Sequence, residues 1–282
     1  MKRIGLVLHA GRPEAATTAA WVAETVAARG IEVYASPSDA AQIAGPSVVP
    51  GMPEELDLVL VLGGDGTLLR AAETLGERAP LLGVNFGHLG FLSQLERTEL
   101  EDGLRRVLED GFDVDERMLL DAEIVGGAAP VRVRALNDII IAKMDIGRSI
   151  RLAVSVAGER FVSWAADGII VATSTGSTAY SFSAGGPVVS PRIDCIVVTP
   201  VSAHGLFDRT IVVPPDEGVS VRVLPDGDAA SLSADGGSAI ELPAGATVNA
   251  RASDVRVRLA KVDPAPFWRL VREKFQLPSD PR

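Results

Sequence analysis

Apolar and polar positions alternate in two different ways along this chain, and the change occurs near residue 112. Before it, short aliphatic runs of strand length alternate with segments in which apolar residues recur at helical spacing. The predicted strands are residues 4–8, 31–34, 58–62 and 80–84, and the predicted helices are residues 17–29, 68–75 and 98–108. This order predicts βαβ units, and therefore an α/β domain with a doubly wound parallel sheet.

Two local features sharpen that prediction. The run at 58–62 is aliphatic at every position, as expected of a strand that is covered on both faces of the sheet. Thr98 and Glu101 have the spacing of a capping box at the start of the third helix.

From about residue 119 to 262 the period changes to two. Val131 and Val133, for example, alternate with Arg132 and Arg134, a pattern typical of antiparallel sheet with one solvated face. Helical spacing returns at 267–275, in a helix that we expect to pack on the first domain or on a neighbouring subunit.

The change in period predicts two domains. We expect an amino-terminal α/β domain over 1–118, completed by a carboxyl-terminal helix within 264–282. We expect the second, over 119–263, to be β-rich and sandwich-like. A length of 282 residues is sufficient for two such cores.

Charge and composition narrow the class of protein. A formal net charge of −10 disfavours nucleic acid and anionic membranes as partners. No apolar run is long enough to span a bilayer, so we expect a soluble protein. The lone Cys195 excludes a disulfide framework and fits a reducing cytoplasm.

A glycine-rich loop follows the most apolar predicted strand. At the carboxyl end of a strand and the amino end of a helix, its amides can hold a phosphate without a lysine. The carboxylate of Asp65 would repel a phosphate bound there, unless it binds Mg²⁺ or removes a proton from an attacking hydroxyl. The alternative is a Gly-Asp-Gly turn in which Asp65 caps the helix. The predicted phosphate cradle consists of Gly63, Gly64, Gly66 and Thr67.

Two later segments carry polar groups suited to a nucleotide. Asn137 and Asp138 precede an aliphatic run, and an amide beside a carboxylate suits paired ribose hydroxyls, although an Asx turn is the alternative. Residues 173–177 form a hydroxyl-rich stretch before a short predicted helix at 178–184, in which Tyr180 could border a base. The alternative there is a Ser/Thr cap on an ordinary helix.

Absent motifs exclude other nucleotide chemistries. The sequence has no G-x-x-x-x-G-K-[ST] and no protein-kinase catalytic loop, and the first predicted strand is not followed by G-x-G-x-x-G. No His, Cys and carboxylate residues have the spacing of a zinc site. Any metal is therefore expected to be Mg²⁺ carried by the nucleotide and held mainly by its phosphates, with no protein metal site.

Four segments in this order resemble the NAD kinase family. LGGDGT at 62–67, followed by LLRAAE, is also loosely similar to lipid kinases and phosphofructokinases, but GVNFGHLGFL at 83–92 and Asn137-Asp138 narrow the choice. The strongest similarity is DGIIVATSTGSTAYSFSAGGP at 167–187. The resemblance extends from the first strand to the terminal helix.

The resemblance implies an activity and a set of residues. ATP, or polyphosphate, would donate a phosphoryl group to the 2′-hydroxyl of the adenosine ribose of NAD, in a cleft between the domains, with Asp65 as general base. Mg²⁺ would accompany ATP, and the protein would be a homodimer or homotetramer. The implied substrate-binding residues are Asp65, Gly66, Arg70, Phe91, Asn137, Asp138, Arg148, Asp167, Thr178, Ala179, Tyr180, Ser181, Phe182 and Ser183.

The implied roles differ along that set. Asn137 and Asp138 would meet ribose hydroxyls, residues 178–183 the adenine and its ribose, and Phe91 would form an apolar wall. Asp167 would contact the carboxamide end or the adenine amine across a subunit contact. Arg70 and Arg148 would touch the dinucleotide or its phosphates; for both, a solvated surface charge is equally consistent with the sequence.

The chain also departs from the family pattern. Ser174 stands where the family usually has proline, which keeps the hydroxyls of the loop. In Asp235-Gly236-Gly237, a glycine replaces the usual glutamine, so a side-chain contact is lost and this segment is left out of the predicted site. His204 matches a family histidine loosely, and either a structural role or a place near the new phosphate fits the sequence.

Two other functions remain alternatives. A lipid or sphingoid-base kinase with the same glycine loop needs an apolar groove or a membrane approach, against which the charge of −10 argues. A sensor that binds NAD(P) without chemistry could dispense with Asp65.

Overall fold

The chain divides into two compact units, Met1–Glu116 with Val257–Arg282 and Arg117–Arg256. The computed structural model describes residues 1–45, 47–87, 90–127, 129–145, 147–225, 228–262 and 267–278. Among these residues, no helix has both the length and the apolar character needed to cross a membrane.

The first unit is built on a parallel sheet with the strand order β3-β2-β1-β4-β5, and a short β6 pairs with β5. This confirms the predicted α/β class with a parallel sheet. The strands are β1 (Arg3–Leu8), β2 (Glu32–Ala35), β3 (Val48–Pro50), β4 (Leu58–Gly63), β5 (Leu81–Asn85) and β6 (Leu95–Glu96). The helices before the chain leaves the unit are α1 (Pro13–Ala27), α2 (Pro37–Ala40), α3 (Asp65–Leu75) and α4 (Leu100–Glu109).

The sheet reverses its winding between two adjacent strands. From β1 the chain passes through α1 to β2 on one side, and from β4 it passes through α3 to β5 on the other. Open α/β sheets bind ligands outside the carboxyl ends of strands at such a switch point. The glycine loop after β4 lies there.

Burial explains the aliphatic run of β4. All six of its residues are buried because the strand lies between β1 and β5 and is covered on both faces. Leu58, Leu60 and Leu62 join a core that includes Val22 and Val26 of α1.

Several predicted boundaries were wrong. Helix α3 begins at Asp65 rather than Leu68. The capping box uses Glu96 and Glu99 instead of Thr98 and Glu101, because a 3-10 helix at Arg97–Glu99 places Thr98 inside the turn before α4. The short α2 and β3 lie in a stretch with no clear periodicity and were not predicted.

The second unit contains two antiparallel sheets, as its period of two predicted. One has the order β11-β10-β15-β18, with β7 paired to β18 and β8 to β7; the other has the order β14-β13-β12-β9-β16-β17. The chain enters the unit within β7 and leaves it within β18. The strands are β7 (Asp113–Val125), β8 (Val131–Ala135), β9 (Asp138–Lys143), β10 (Ile150–Val156), β11 (Glu159–Ala166), β12 (Gly168–Thr173), β13 (Ile196–Val201), β14 (Ile211–Val213), β15 (Val219–Val223), β16 (Ala230–Ala234), β17 (Ile240–Leu242) and β18 (Thr247–Lys261).

Side chains of both sheets form one core. It joins Leu152 and Val221 of the first sheet to Ile139, Ile169 and Ile196 of the second. Strands β10 and β15 bury alternate residues, which is the reason for the period of two, whereas all six residues of β12 are buried.

Two short helical segments matter for the site. A 3-10 helix at Gly176–Thr178 and the one-turn α5 (Tyr180–Ser183) follow β12, close to the predicted short helix. The last helix, α6 (Phe267–Lys274), belongs to the first unit. Residues 264–266 and 279–282 of the predicted 264–282 segment lie outside the described residues.

Candidate active site

Asp65 is the first residue of α3, and its carboxylate faces a loop of its own unit. It accepts hydrogen bonds from Phe91 N at 2.8 Å, Leu92 N at 3.4 Å and Ser93 Oγ at 3.3 Å. The preceding residue, Gly64, caps the helix without any side-chain hydrogen bond. The alternative in which Asp65 serves as a helix cap is therefore wrong.

A glycine allows that loop to approach. A Cβ at Gly90 would overlap the Asp65 carboxylate, so the loop can reach it only with no side chain at that position. His88 and Leu89 of the same motif lie outside the described residues. The close approach explains why the GVNFGHLGFL segment must accompany the GGDGT loop.

Phe91 holds the loop from its other side. Its ring lies 6.3 Å from that of Phe267 and 6.0 Å from that of Phe275, and Lys274 Nζ lies 4.9 Å from its centroid. Aromatic pairs at these distances are mutually stabilising. The terminal helix thus packs on the first unit, and Phe91 is half-buried against it.

A cavity of about 300 Å³ opens at the ends of β1 and β4. Arg70 and Gly66 are exposed at this cavity, whereas Thr67 is 2% exposed. The lining residues are His9, Ala10, Arg12, Gly64, Gly66, Thr67 and Arg70. The structure therefore brings Arg70 together with three of the four predicted cradle residues.

In the second unit, Asp235 organises the Asn137-Asp138 turn. Its carboxylate accepts hydrogen bonds from Leu136 N at 2.7 Å, Asn137 N at 2.7 Å and Asp138 N at 3.1 Å. Asp235 itself has a φ of 48°, in the left-handed region that few non-glycine residues adopt. Sequence reasoning left this residue out because it considered only the missing glutamine; the Asp-Gly-Gly turn was the available signal.

Asp138 is 4% exposed. Burial, and then the nearby charge of Asp235, raises the pKa of its carboxyl from 3.8 to about 7, while a hydrogen bond from the Tyr180 backbone acts in the opposite direction. That bond brings α5 together with the Asn137-Asp138 turn, which are about forty residues apart in sequence.

The hydroxyl-rich loop after β12 packs tightly on the same turn. Thr173 Oγ1 donates to Leu136 O at 2.6 Å and accepts from Gly176 N at 3.0 Å. A Cβ at Gly176 would overlap the Asn137 carbonyl. Three segments that the sequence suggested separately therefore form one cluster.

The residues of α5 and its amino-terminal flank differ in accessibility. Tyr180 is 45% exposed, Phe182 is 37% exposed and Ser183 is also exposed, whereas Thr178 and Ala179 are half-buried. Ser181 is fully buried, and its hydroxyl hydrogen-bonds Thr199 Oγ1 at 2.9 Å. Its hydroxyl therefore holds the helix in place.

Asp167 and Arg148 lie elsewhere in the second unit. Asp167 precedes β12, and Thr173 ends it, so the six residues of the strand, about 20 Å, separate Asp167 from the Asn137 cluster. A salt bridge to Lys143 Nζ at 2.5 Å, with Ser202 and His204 nearby, lowers the pKa of Asp167. Arg148 Nη1 lies 3.4 Å from Asp228 Oδ1. This pair is near Lys143, the last residue of β9, whereas Asp138 is the first residue of that strand.

Metal ligation can be considered for the described part of the chain. Within it, no three His, Cys, Asp or Glu residues are grouped so that they could hold a metal ion.

Two protein-family models match most of this chain. The family model for the ATP-NAD kinase N-terminal domain matches residues 4–112, and that for the C-terminal domain matches residues 136–262. The chain is 42% identical to NAD kinase from Thermobifida fusca over 289 residues, which cover 97% of this chain and 89% of that protein.

Two solved structures show the same fold. Yeast NADH kinase complexed with NADH has a TM-score of 0.89 at 24% identity and covers 100% of this chain and 89% of its own. An NAD kinase from Archaeoglobus fulgidus in complex with ATP has a TM-score of 0.76 at 24% identity and covers 97% of this chain and 98% of its own.

Proposed function

This chain belongs to the NAD kinase family, and from that membership we propose how its residues act. It is a phosphotransferase that converts NAD to NADP, with NAD and ATP as substrates. The acceptor we propose is the 2′-hydroxyl of the adenosine ribose, and the donor is ATP or polyphosphate. The observation that carries this proposal is the Asp65 carboxylate, held by loop donors at a switch point beside a basic cavity.

Asp65 acts as the general base. A carboxylate offers about four lone-pair positions, and the loop 90–93 occupies three of them. The remaining one can accept the proton of the ribose hydroxyl. The hydroxyl oxygen then bonds to the terminal phosphorus of ATP, the bond from that phosphorus to the bridging oxygen breaks, and ADP leaves.

The glycine loop serves the donor. At the amino end of the eleven-residue α3, the Thr67 amide already donates to the Gly64 carbonyl at 2.9 Å, so the amides of Asp65 and Gly66, which have no carbonyl one turn back in the helix, are the donors for phosphate. Gly66 has open space where a side chain would stand. Gly63, Gly64, Gly66 and Thr67 form the phosphate cradle. Mg²⁺ would accompany the donor and would neutralise charge on its phosphates.

The second unit binds the dinucleotide. Asn137 and Asp138 meet ribose hydroxyls, and the exposed rings of Tyr180 and Phe182 border the adenine. Residues 178–183 complete this region, in which Ser181 contributes by fixing α5. In the first unit, Phe91 provides an apolar wall and Arg70 provides a charge for phosphate.

Asp167 acts in a neighbouring subunit's site, and Arg148 contacts the dinucleotide or its phosphates. Within one subunit the length of β12 keeps Asp167 away from the Asn137 cluster, which supports a homodimer or homotetramer in which a second subunit brings Asp167 to a bound dinucleotide. We propose that the protein forms such an oligomer. We also propose that it acts in a reducing cytoplasm, since its single cysteine, Cys195, is free and buried. Light scattering on the eluted protein measures the subunit number.

A coupled assay tests the function. Purified protein is incubated with Mg-ATP and NAD, and NADP is measured through an NADP-specific dehydrogenase. We expect NADP to form only when all components are present. Tight NAD binding without NADP would instead indicate a dinucleotide sensor, and phosphorylation of a lipid in place of NAD would indicate a lipid kinase.

A further inference from the structure

We infer that His9 and Arg12, on the loop between β1 and α1, form the second wall of the donor's phosphate site. This inference rests on the proposed function and extends it to residues that neither the motifs nor the comparisons assign. Both residues line the cavity of about 300 Å³, together with Gly64, Gly66 and Thr67. Among the described residues that line it, Arg70 is the other charged one.

The sheet brings this loop to the glycine loop. Leu8, the last residue of β1, is paired with Leu62 of β4, and His9 N donates to Leu62 O at 2.9 Å. The loops that follow these two parallel strands therefore leave the same edge of the sheet side by side. His9 is held at the edge of the β4–α3 turn by its own backbone.

Arg12 is positioned by a second contact. Its Nη1 donates to the Phe86 carbonyl, so one of its five N–H donors is committed and the others remain. Among the described residues, neither Arg12 nor Arg70 forms an ion pair with a carboxylate. Two exposed guanidinium groups thus border one cavity without neutralisation by the protein.

Two of the residues that line the cavity, His9 and Thr67, each carry a buried polar side-chain atom without a partner in the described part of the chain. His9 Nδ1 and Thr67 Oγ1 have no hydrogen-bond partner among the described residues, and Thr67 is 2% exposed. Buried polar atoms nearly always have a partner, and leaving one without costs stability. Their coincidence on a basic cavity indicates a ligand that is rich in oxygen atoms.

A chain of phosphates fits these groups. It supplies negative charge for the guanidinium forks, acceptors for the amides at the amino end of α3, and oxygens for the imidazole and the hydroxyl. The lining residues include no Phe, Tyr or Trp and no carboxylate, so they recognise the phosphates of the donor rather than its base.

The test uses inorganic tripolyphosphate as probe and four variants of the full chain. Arg12→Ala should weaken calorimetric binding of tripolyphosphate by about ten- to a hundredfold, because a charge-assisted contact is lost. It should raise the KM for ATP by a similar factor and leave the KM for NAD unchanged. Arg12→Lys keeps the positive charge but loses the forked guanidinium group. Its affinity for tripolyphosphate should lie between those of the wild type and Arg12→Ala.

Arg78→Ala is the matched control. It removes the same charge beyond the carboxyl end of α3, about 16 Å along the helix from Asp65, and should bind tripolyphosphate as the wild type does. Thr67→Val gives an independent readout: it should weaken tripolyphosphate binding without lowering the melting temperature, since the lost hydroxyl has no partner in the protein.

The outcomes separate the two proposals. Wild-type affinity for tripolyphosphate and a wild-type KM for ATP in Arg12→Ala, with normal NADP formation, would overturn the role of the β1–α1 loop and leave the function intact. Tripolyphosphate binding that responds to Arg12, in a protein that makes no NADP, would support the phosphate site and overturn the proposed function.

Discussion

Asp65 is the first residue of helix α3 and Asp138 the first residue of strand β9, and the surroundings of the two carboxyl groups differ. Asp65 is half-buried and accepts three hydrogen bonds from one loop. Asp138 is 4% exposed and lies beside a second carboxylate, and its pKa is raised to about 7. A carboxyl that is partly protonated at neutral pH can both donate to and accept from a hydroxyl, which suits recognition, whereas a general base must accept a proton.

The comparison assigns proton removal to Asp65, so Asp65→Asn should have the largest effect. An amide cannot take the ribose proton, and turnover should fall by about 10²- to 10⁴-fold in the coupled assay. The dissociation constant for NAD, measured by calorimetry, should change little because the amide keeps the size of the side chain. Asp102→Asn, an exposed carboxylate on α4, is the control. Near wild-type turnover in Asp65→Asn would show that the base has been misassigned.

Asp138→Asn should change how stability depends on pH. Because the folded pKa of Asp138 is raised from 3.8 to about 7, the folded state binds a proton more tightly than the unfolded chain does. Its favourable contribution is complete below pH 4 and is lost as the pH rises through 7. Between pH 4 and pH 8, the wild type should lose up to about 4 kcal/mol of unfolding free energy that the variant does not lose. Urea titrations at the two pH values measure this difference, and parallel profiles for the two proteins would contradict it.

Asp235→Asn should act on the dinucleotide side alone. The variant loses the charge that three successive backbone amides share, so the Asn137-Asp138 turn is less well held. The KM for NAD should rise by about tenfold, with the KM for ATP unchanged. The stability transition of Asp138 should also move to lower pH, since a neighbouring negative charge is removed. Asp216→Asn, on an exposed turn of the same unit, is the control; an equal rise in both KM values would argue for general misfolding instead.

Phe275→Leu tests the aromatic contact between Phe275 and Phe91, whose backbone amide donates to Asp65, and should have the smallest effect. Loss of an aromatic contact with Phe91 should lower kcat by about three- to tenfold without changing either KM. Phe275→Tyr keeps the ring and should restore kcat. The backbone amides of Phe91 and Leu92, which donate to Asp65, should exchange their hydrogens faster in the leucine variant. Unchanged exchange together with wild-type kcat would remove α6 from the account of the site.

Local patterns were sufficient for much of the fold. Aliphatic runs located β1, β2, β4 and β5, and alternation located the antiparallel sheets, because those signals come from residues a few positions apart. The start of α3 was missed because Gly64-Asp65-Gly66 reads as a turn, although its backbone is already helical from Asp65. The predicted capping box at Thr98 was wrong because a 3-10 turn precedes α4, and the box is formed two residues earlier, by Glu96 and Glu99.

The site depended on distant pairs. The donors to Asp65 lie 26 to 28 residues away in sequence, and those to Asp235 lie 97 to 99 residues away. No periodicity encodes such pairs. The resemblance to NAD kinases pointed to Asp65, Asn137 and Asp138, but it did not indicate that Asp235 holds the turn or that Lys143 pairs with Asp167.

Residue order alone was enough for the two kinds of sheet and for a phosphate-type loop after the most apolar strand, since hydrophobic spacing and glycine placement act locally. Which charged groups meet depended on how the strands are ordered: β1 beside β4 puts Arg12 and Arg70 on one cavity, and β16 beside β9 puts Asp235 under Asn137. Such neighbours follow from burial of the whole core, which no short stretch of chain specifies by itself.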